Sequence, residues 1–189
     1  MSVNERGAAI AVHYQRIWSS VPSNCDWPPL ALRAGDLPDG FAVLRVAPAA
    51  GDRPWRYGTV CMSAPTDDYA IELHMICDGP EDECAAILTM TAYFHRTTAR
   101  LDVGHSVNFG RPWVAKSRCT FGLVSLPYLG GPAWEWCSIG AGQRVRCLWL
   151  LPITPEEAKF KRESGTDALE ERFEASGFNY ANPFRPSVV

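Results

Sequence analysis

Residues 144–157 constrain the fold more than any other stretch. Val145-Arg146-Cys147-Leu148-Trp149-Leu150-Leu151-Pro152 is an apolar run that predicts a strand over 144–152. It leads straight into Thr154-Pro155-Glu156-Glu157, a capping box with proline at the first helical position. The Thr154 hydroxyl can accept from the Glu157 amide, and the Glu157 side chain can reach back to the Thr154 amide. Helical spacing continues to residue 176, with an interruption at Gly165. A second short helix, residues 166–175, would bury Leu169 and Phe173 and stop at Gly177, a good place for a left-handed cap.

The rest of the chain alternates between the two periods. In residues 4–19, Ile10, Tyr14, Ile17 and Trp18 make one helical stripe, with Asn4 as the expected N-cap. Residues 22–40 hold Pro22, Pro28, Pro29, Gly35, Pro38 and Gly40 and read as an irregular connection. Short strands are expected at 41–47 and 57–62. Residues 68–76 give the clearest strand: Tyr69, Ile71, Leu73 and Met75 on one face, Ala70, Glu72, His74 and Ile76 on the other. That alternation predicts one buried face, leaving Glu72 and His74 as a half-exposed polar pair. Gly79-Pro80-Glu81-Asp82-Glu83 starts a helix at about 80–96, with Ile87, Met90, Thr91 and Phe94 at helical spacing and Tyr93 near its end. Further strands are expected at 105–109, 119–126, 133–137 and 144–152.

This order lacks regular strand–helix–strand alternation. It predicts a single α+β domain with a mixed, mainly antiparallel sheet flanked by helices. Residues 1–40 would pack on the domain proper, 41–178, and 179–189 would form an extended tail. A length of 189 residues suits one domain. A net charge of −3 argues against a broad nucleic-acid-binding face, and no apolar run is long enough to cross a membrane.

Catalytic and metal-binding patterns are missing. There is no phosphate-binding glycine loop, no nucleophile elbow and no HExxH. The imidazoles are His13, His74, His95 and His105. Cys119 or Cys137 could pair with one of them only by assembly across the fold. His74, Cys77 and Cys84 are too widely spaced for a zinc site. An odd count of seven cysteines without a CxxC pair argues against a disulfide framework. With no secretory signal in residues 1–6, it implies free core thiols and a cytoplasmic location. The seven tryptophans, at 18, 27, 55, 113, 134, 136 and 149, suit a core or an interface. Trp134-Glu135-Trp136 would put two rings on one side of a strand.

Three segments together resemble the suppressor-of-fused domain family. They are Gly104-His105-Ser106-Val107-Asn108-Phe109-Gly110-Arg111-Pro112-Trp113, then Leu123-Val124-Ser125-Leu126-Pro127-Tyr128-Leu129 with Gly131-Pro132, then residues 145–157 running into Gly165 and 168–172. The resemblance covers residues 40–178, and in length the chain is similar to short bacterial members.

It implies a non-enzymatic, protein-binding domain without cofactors. Animal members bind a transcription factor in Hedgehog signalling, holding an extended peptide partly by strand addition. Short bacterial members are viewed as immunity proteins that neutralise toxins. Tyr93 stands where animal members carry a peptide-contacting tyrosine, and His105 where they carry an aspartate. The implied partner surface is Tyr93, His105, Asn108 and Trp113, for a toxin or an extended peptide. The contrary readings are an enzyme using His105 or the Glu72/His74 pair, and a motif in which Arg111, Trp113 and Pro127 only shape the fold, with Arg111 capping carbonyls.

Overall fold

The computed structural model describes residues 2–25, 35–48 and 54–189. Trp27, Pro28 and Pro29 lie outside the described residues. In chain order the elements are α1 (Val3–Trp18), β1 (Ser23–Asn24), β2 (Ala42–Val46), β3 (Trp55–Val60), β4 (Ile71–Cys77), α2 (Asp82–Thr97), β5 (Ser106–Asn108), β6 (Phe121–Ser125), α3 (Pro132–Glu135), β7 (Trp136–Gly140), β8 (Gln143–Ile153), α4 (Pro155–Ser164) and α5 (Thr166–Ser176).

The expected mixed, mainly antiparallel sheet is present. Its strands run β1-β2-β3-β4-β8-β6-β5, with β7 on the N-terminal half of β8. Among the described residues only β4 and β8 pair in parallel, Leu73 opposite Leu148. The long strand β8 is the spine: its first half sits between β7 and β4, its second between β4 and β6.

Side-chain alternation along β8 divides the core. Leu148 and Leu150 face α2, packing with Ile71, Leu73, Met75, Ile87 and Leu88. Val145 and Cys147 face α1, against Ile10, Tyr14 and Trp18. Leu151 and Ile153 face α4 and α5, against Ala158, Leu169 and Phe173. Helices therefore cover both faces of the sheet centre. Every residue of β4 is buried, and Glu72 and His74 are not the half-exposed pair that its alternation suggests. Period two reports which side chains share a face. It does not report what covers that face.

Local signals at helix ends hold where they are self-contained. Thr154 and Glu157 form the expected reciprocal cap, Thr154 N donating to Glu157 Oε2 at 2.8 Å and Glu157 N to Thr154 Oγ at 3.2 Å. Gly165 breaks the run at φ 95°, and Gly177 closes α5 in the left-handed region. Other ends differ. Ser2, not Asn4, caps α1, in a capping box with Glu5. Glu81 is the N-cap of α2, so Pro80 lies before the helix. A strand is expected over 133–137 from the sequence, but Pro132–Glu135 form the short helix α3 and only Trp136 and Cys137 of that stretch lie in β7. Trp134 and Trp136 therefore do not share one strand face.

Cys77 and Cys84 are joined in a disulfide between the end of β4 and α2, contrary to separate free thiols. Cys61, Cys119, Cys137 and Cys147 are free thiols in the core.

The docking of α1 depends on a glycine in β3. A Cβ on Gly58 would lie 2.6 Å from the ring of the fully buried Tyr14. That ring stacks on Trp18 at 4.3 Å and has no room to retreat. Gly58→Ala is expected to cost about 1–3 kcal/mol through overpacking. Hydrogen exchange should show protection lost first in α1; unchanged thermal unfolding would refute the close fit.

Candidate functional site

β5 is the edge strand beyond β6, and among the described residues no strand pairs with its outer side. Val124 N donates to His105 O at 2.8 Å and Phe109 N to Thr120 O at 2.9 Å, with Val107 opposite Gly122 between them. The carbonyl of 105 and the main-chain groups of 107 and 109 thus point at β6. By antiparallel alternation, those of Ser106 and Asn108 point outward.

The four residues implied as a partner surface are not one cluster. Val107 and Phe109 join the core under α2, so His105, two residues earlier, leans to that side. Tyr93, half-buried near the end of α2, lies on the same side. Asn108 points from the opposite face and is exposed; its Oδ1 accepts from Gly110 N at 2.8 Å, stiffening the turn. Trp113 is 1% exposed in the α2 core and presents no surface, so its place in the motif is packing. Arg111 is exposed and, among the described residues, donates to no carbonyl, contrary to the expected capping role.

His105 is exposed, and its Nδ1 accepts from Asp102 N at 3.1 Å. Asp102 leads into a polar chain that sequence reasoning did not find. Tyr69 Oη donates to Asp102 Oδ1 at 2.9 Å, and Arg146 Nη1 donates to Tyr69 Oη at 2.9 Å. Arg146 Nε donates to Glu135 Oε1 at 2.7 Å. Burial pushes the Tyr69 phenol up, which keeps it a neutral hydroxyl between these charges. The guanidinium groups of Arg144 and Arg146 lie 4.7 and 5.6 Å from the Trp136 ring. One signal was available: Arg146 is a lone charge inside the apolar run of β8, and a charge there needs partners.

Glu72 and His74 lie on the face of β4 opposite α2. Glu72 is fully buried and accepts from Thr59 Oγ1 at 2.7 Å and from Met62 N at 3.1 Å. Burial pushes its carboxyl up to about 8. His74 lies among Trp18, Trp134 and Trp149, ring centroids 5.9–6.5 Å away, and neither ring nitrogen has a hydrogen-bond partner. Burial pushes it down to about 3. No hydrogen bond joins the two, so they do not form a proton-transfer pair. Among the described residues no three His, Cys, Asp or Glu side chains converge as metal ligands, and no helix is long and apolar enough to cross a membrane.

A second concavity, about 220 Å³, lies between β8 and α5 against Trp149, Leu151, Phe173, Phe178 and Tyr180. Glu170 stands at its rim, accepting from Ser125 Oγ at 2.7 Å and Tyr128 Oη at 2.8 Å. This explains how the Leu-Pro-Tyr segment is held.

The sequence model of the suppressor-of-fused protein family matches residues 38–186. Among solved structures, a suppressor-of-fused homologue from Neisseria gonorrhoeae is 30% identical with a TM-score of 0.85, the match covering 98% of each chain. A chain of a Sufu–Fu complex is 11% identical with a TM-score of 0.70, the match covering 97% of this chain and 92% of that one. Drosophila Suppressor of Fused is 13% identical with a TM-score of 0.67, and the match covers 97% of this chain and 51% of the fly protein. No curated protein sequence matches.

Proposed function

The chain belongs to the suppressor-of-fused family, and from that membership we propose that it is a non-enzymatic protein-binding domain. It grips its partner along the outer edge of β5 and the adjoining surface of Tyr93, His105 and Asn108. The observation that carries this reading is the unpaired β5 edge, whose outward main-chain groups at Ser106 and Asn108 stand beside an exposed imidazole. An added strand takes affinity from such groups and selectivity from the flanking side chains. The relative solved as a Sufu–Fu complex supports protein binding as the mode.

The sharper form of the proposal is a cytoplasmic immunity protein that neutralises a toxin. The similarity in size to short bacterial members supports it, and a net charge of −3 would speed encounter with a basic toxin.

The test is co-expression with the product of the adjacent gene, read by co-purification and by rescue of growth. Ser106→Pro removes an outward N–H without touching the pairing to β6. It should weaken binding by about tenfold or more with little change in thermal unfolding. Tyr93→Ala with His105→Ala should act in the same direction. If these folded variants bind as the wild type does, the surface is wrong. If the wild type neither binds nor rescues, the immunity reading fails.

A further inference from the structure

Arg6 is an unusual residue for the inner face of an amphipathic helix. It is 2% exposed, and its Nε and Nη2 are enclosed without any hydrogen-bond partner. A guanidinium buried without a partner is costly, and a counter-charge beside it offsets part of that cost. The nearest internal anion does so only weakly. Both oxygens of Glu72 are taken by Thr59 and Met62, and none accepts from Arg6. Burial raises the Glu72 carboxyl to about 8 against the opposing pull of Arg6, which weakens it as a counter-ion.

Arg6 lines a polar pocket of about 220 Å³ at the end of the sheet, together with Gln143, Arg144, Asp67 and Asp68. The Asp67 carboxylate is already engaged, by an ion pair with Arg96 and by Ala64 N at 2.8 Å. Arg144 is braced against the Trp136 ring. Two guanidinium groups and an amide thus meet at one cavity, with Asp68 as the opposing charge.

We propose that this pocket is a binding site for a small oxyanion, held by Arg6, Arg144 and Gln143. The anion is either free phosphate or the carboxylate of an acidic side chain on a protein partner. Both present anionic oxygens to guanidinium N–H donors in the same way. The site is separate from the β5 edge, and its test does not depend on that edge being used.

The experiment titrates inorganic phosphate, and in a parallel arm acetate, into the labelled full chain at constant ionic strength. The Gln143 and Arg144 amide resonances report. Saturable shifts at millimolar phosphate are expected. Arg6→Met, which keeps the buried stem but removes the charge, should raise the half-saturating concentration at least about tenfold. Arg144→Ala, on an exposed position, should raise it at least about threefold, and Asp68→Asn should lower it. Saturation by acetate alone assigns the site to carboxylates. No saturable shift with either anion overturns the proposal. So does a titration that Arg144→Ala leaves unchanged, whether or not Arg6→Met folds.

Discussion

Arg185→Met is expected to lower the unfolding free energy by about 3–5 kcal/mol, the loss typical of removing one partner from a buried ion pair. Arg185 is 3% exposed and Glu157 is fully buried. The guanidinium grips the carboxylate with both forks, Nη1 to Oε1 at 2.6 Å and Nη2 to Oε2 at 2.8 Å. Nη2 also donates to Pro152 O at 2.9 Å, and Glu157 further accepts from Thr154 N and Val188 N. One carboxylate thus ties together the end of β8, the start of α4 and the C-terminal segment. The Phe178 ring covers the guanidinium at 4.7 Å. Removing the arginine leaves an enclosed anion with only amide donors. In a chain of this length the midpoint should fall by roughly 6–20 °C. Adding Glu157→Gln to Arg185→Met neutralises the orphan while keeping an acceptor for the cap, and should recover about half of the loss or more. If single and double variants are equally unstable, packing against Phe178 dominates, and the charge pair is not the cause.

That ion pair shows what is and is not legible in a sequence. The Thr154–Glu157 cap is written locally, in four residues whose geometry follows from their spacing, and the structure has it. That the same Glu157 would also be the anchor for Arg185, 28 residues later, depends on how the C-terminal segment returns over α4. No period or motif encodes that return. The same division recurs elsewhere. The strands and helices of the matched region lie close to their expected positions because each carries its own periodicity. The parallel pairing of β4 with β8 unites segments some 75 residues apart, and His74 is buried because α1 and α3 bring Trp18 and Trp134 over that face. At the candidate site, the motif residues were legible only as a resemblance. The structure divides them into exposed His105 and Asn108, half-buried Tyr93 and enclosed Trp113. The Tyr69–Asp102–Arg146–Glu135 chain was not legible, because its four members come from four separate segments.

The burial of two titratable groups on one strand predicts a characteristic pH dependence. Glu72 is raised to about 8 in the folded chain, against an ordinary carboxyl value of 4.5. Between those values the folded state holds a proton that the unfolded state has released. Stability from this group is therefore full below about pH 4.5 and is lost as pH rises toward 8. His74 runs the other way: its folded value is about 3 against 6.5. The unfolded chain takes up a proton first, and stability falls as pH drops below about 6.5. Each linkage, at full separation, is on the order of 4–5 kcal/mol. The two slopes oppose each other between about pH 4.5 and 6.5, so the alkaline loss is set by Glu72 once His74 has stopped contributing. Glu72→Gln keeps an acceptor for Thr59 and Met62 and removes the titration. Its unfolding free energy relative to wild type should therefore rise by several kcal/mol from pH 5.5 to pH 8.5, measured by denaturant unfolding at each pH. His74→Phe suits the surrounding tryptophans and should gain on wild type from pH 7 down to pH 4. A difference between wild type and Glu72→Gln that stays constant across the alkaline range would mean that Glu72 remains ionised in the fold. Its negative charge would then be balanced by Arg6, and the case for an uncompensated guanidinium at the oxyanion pocket would weaken with it.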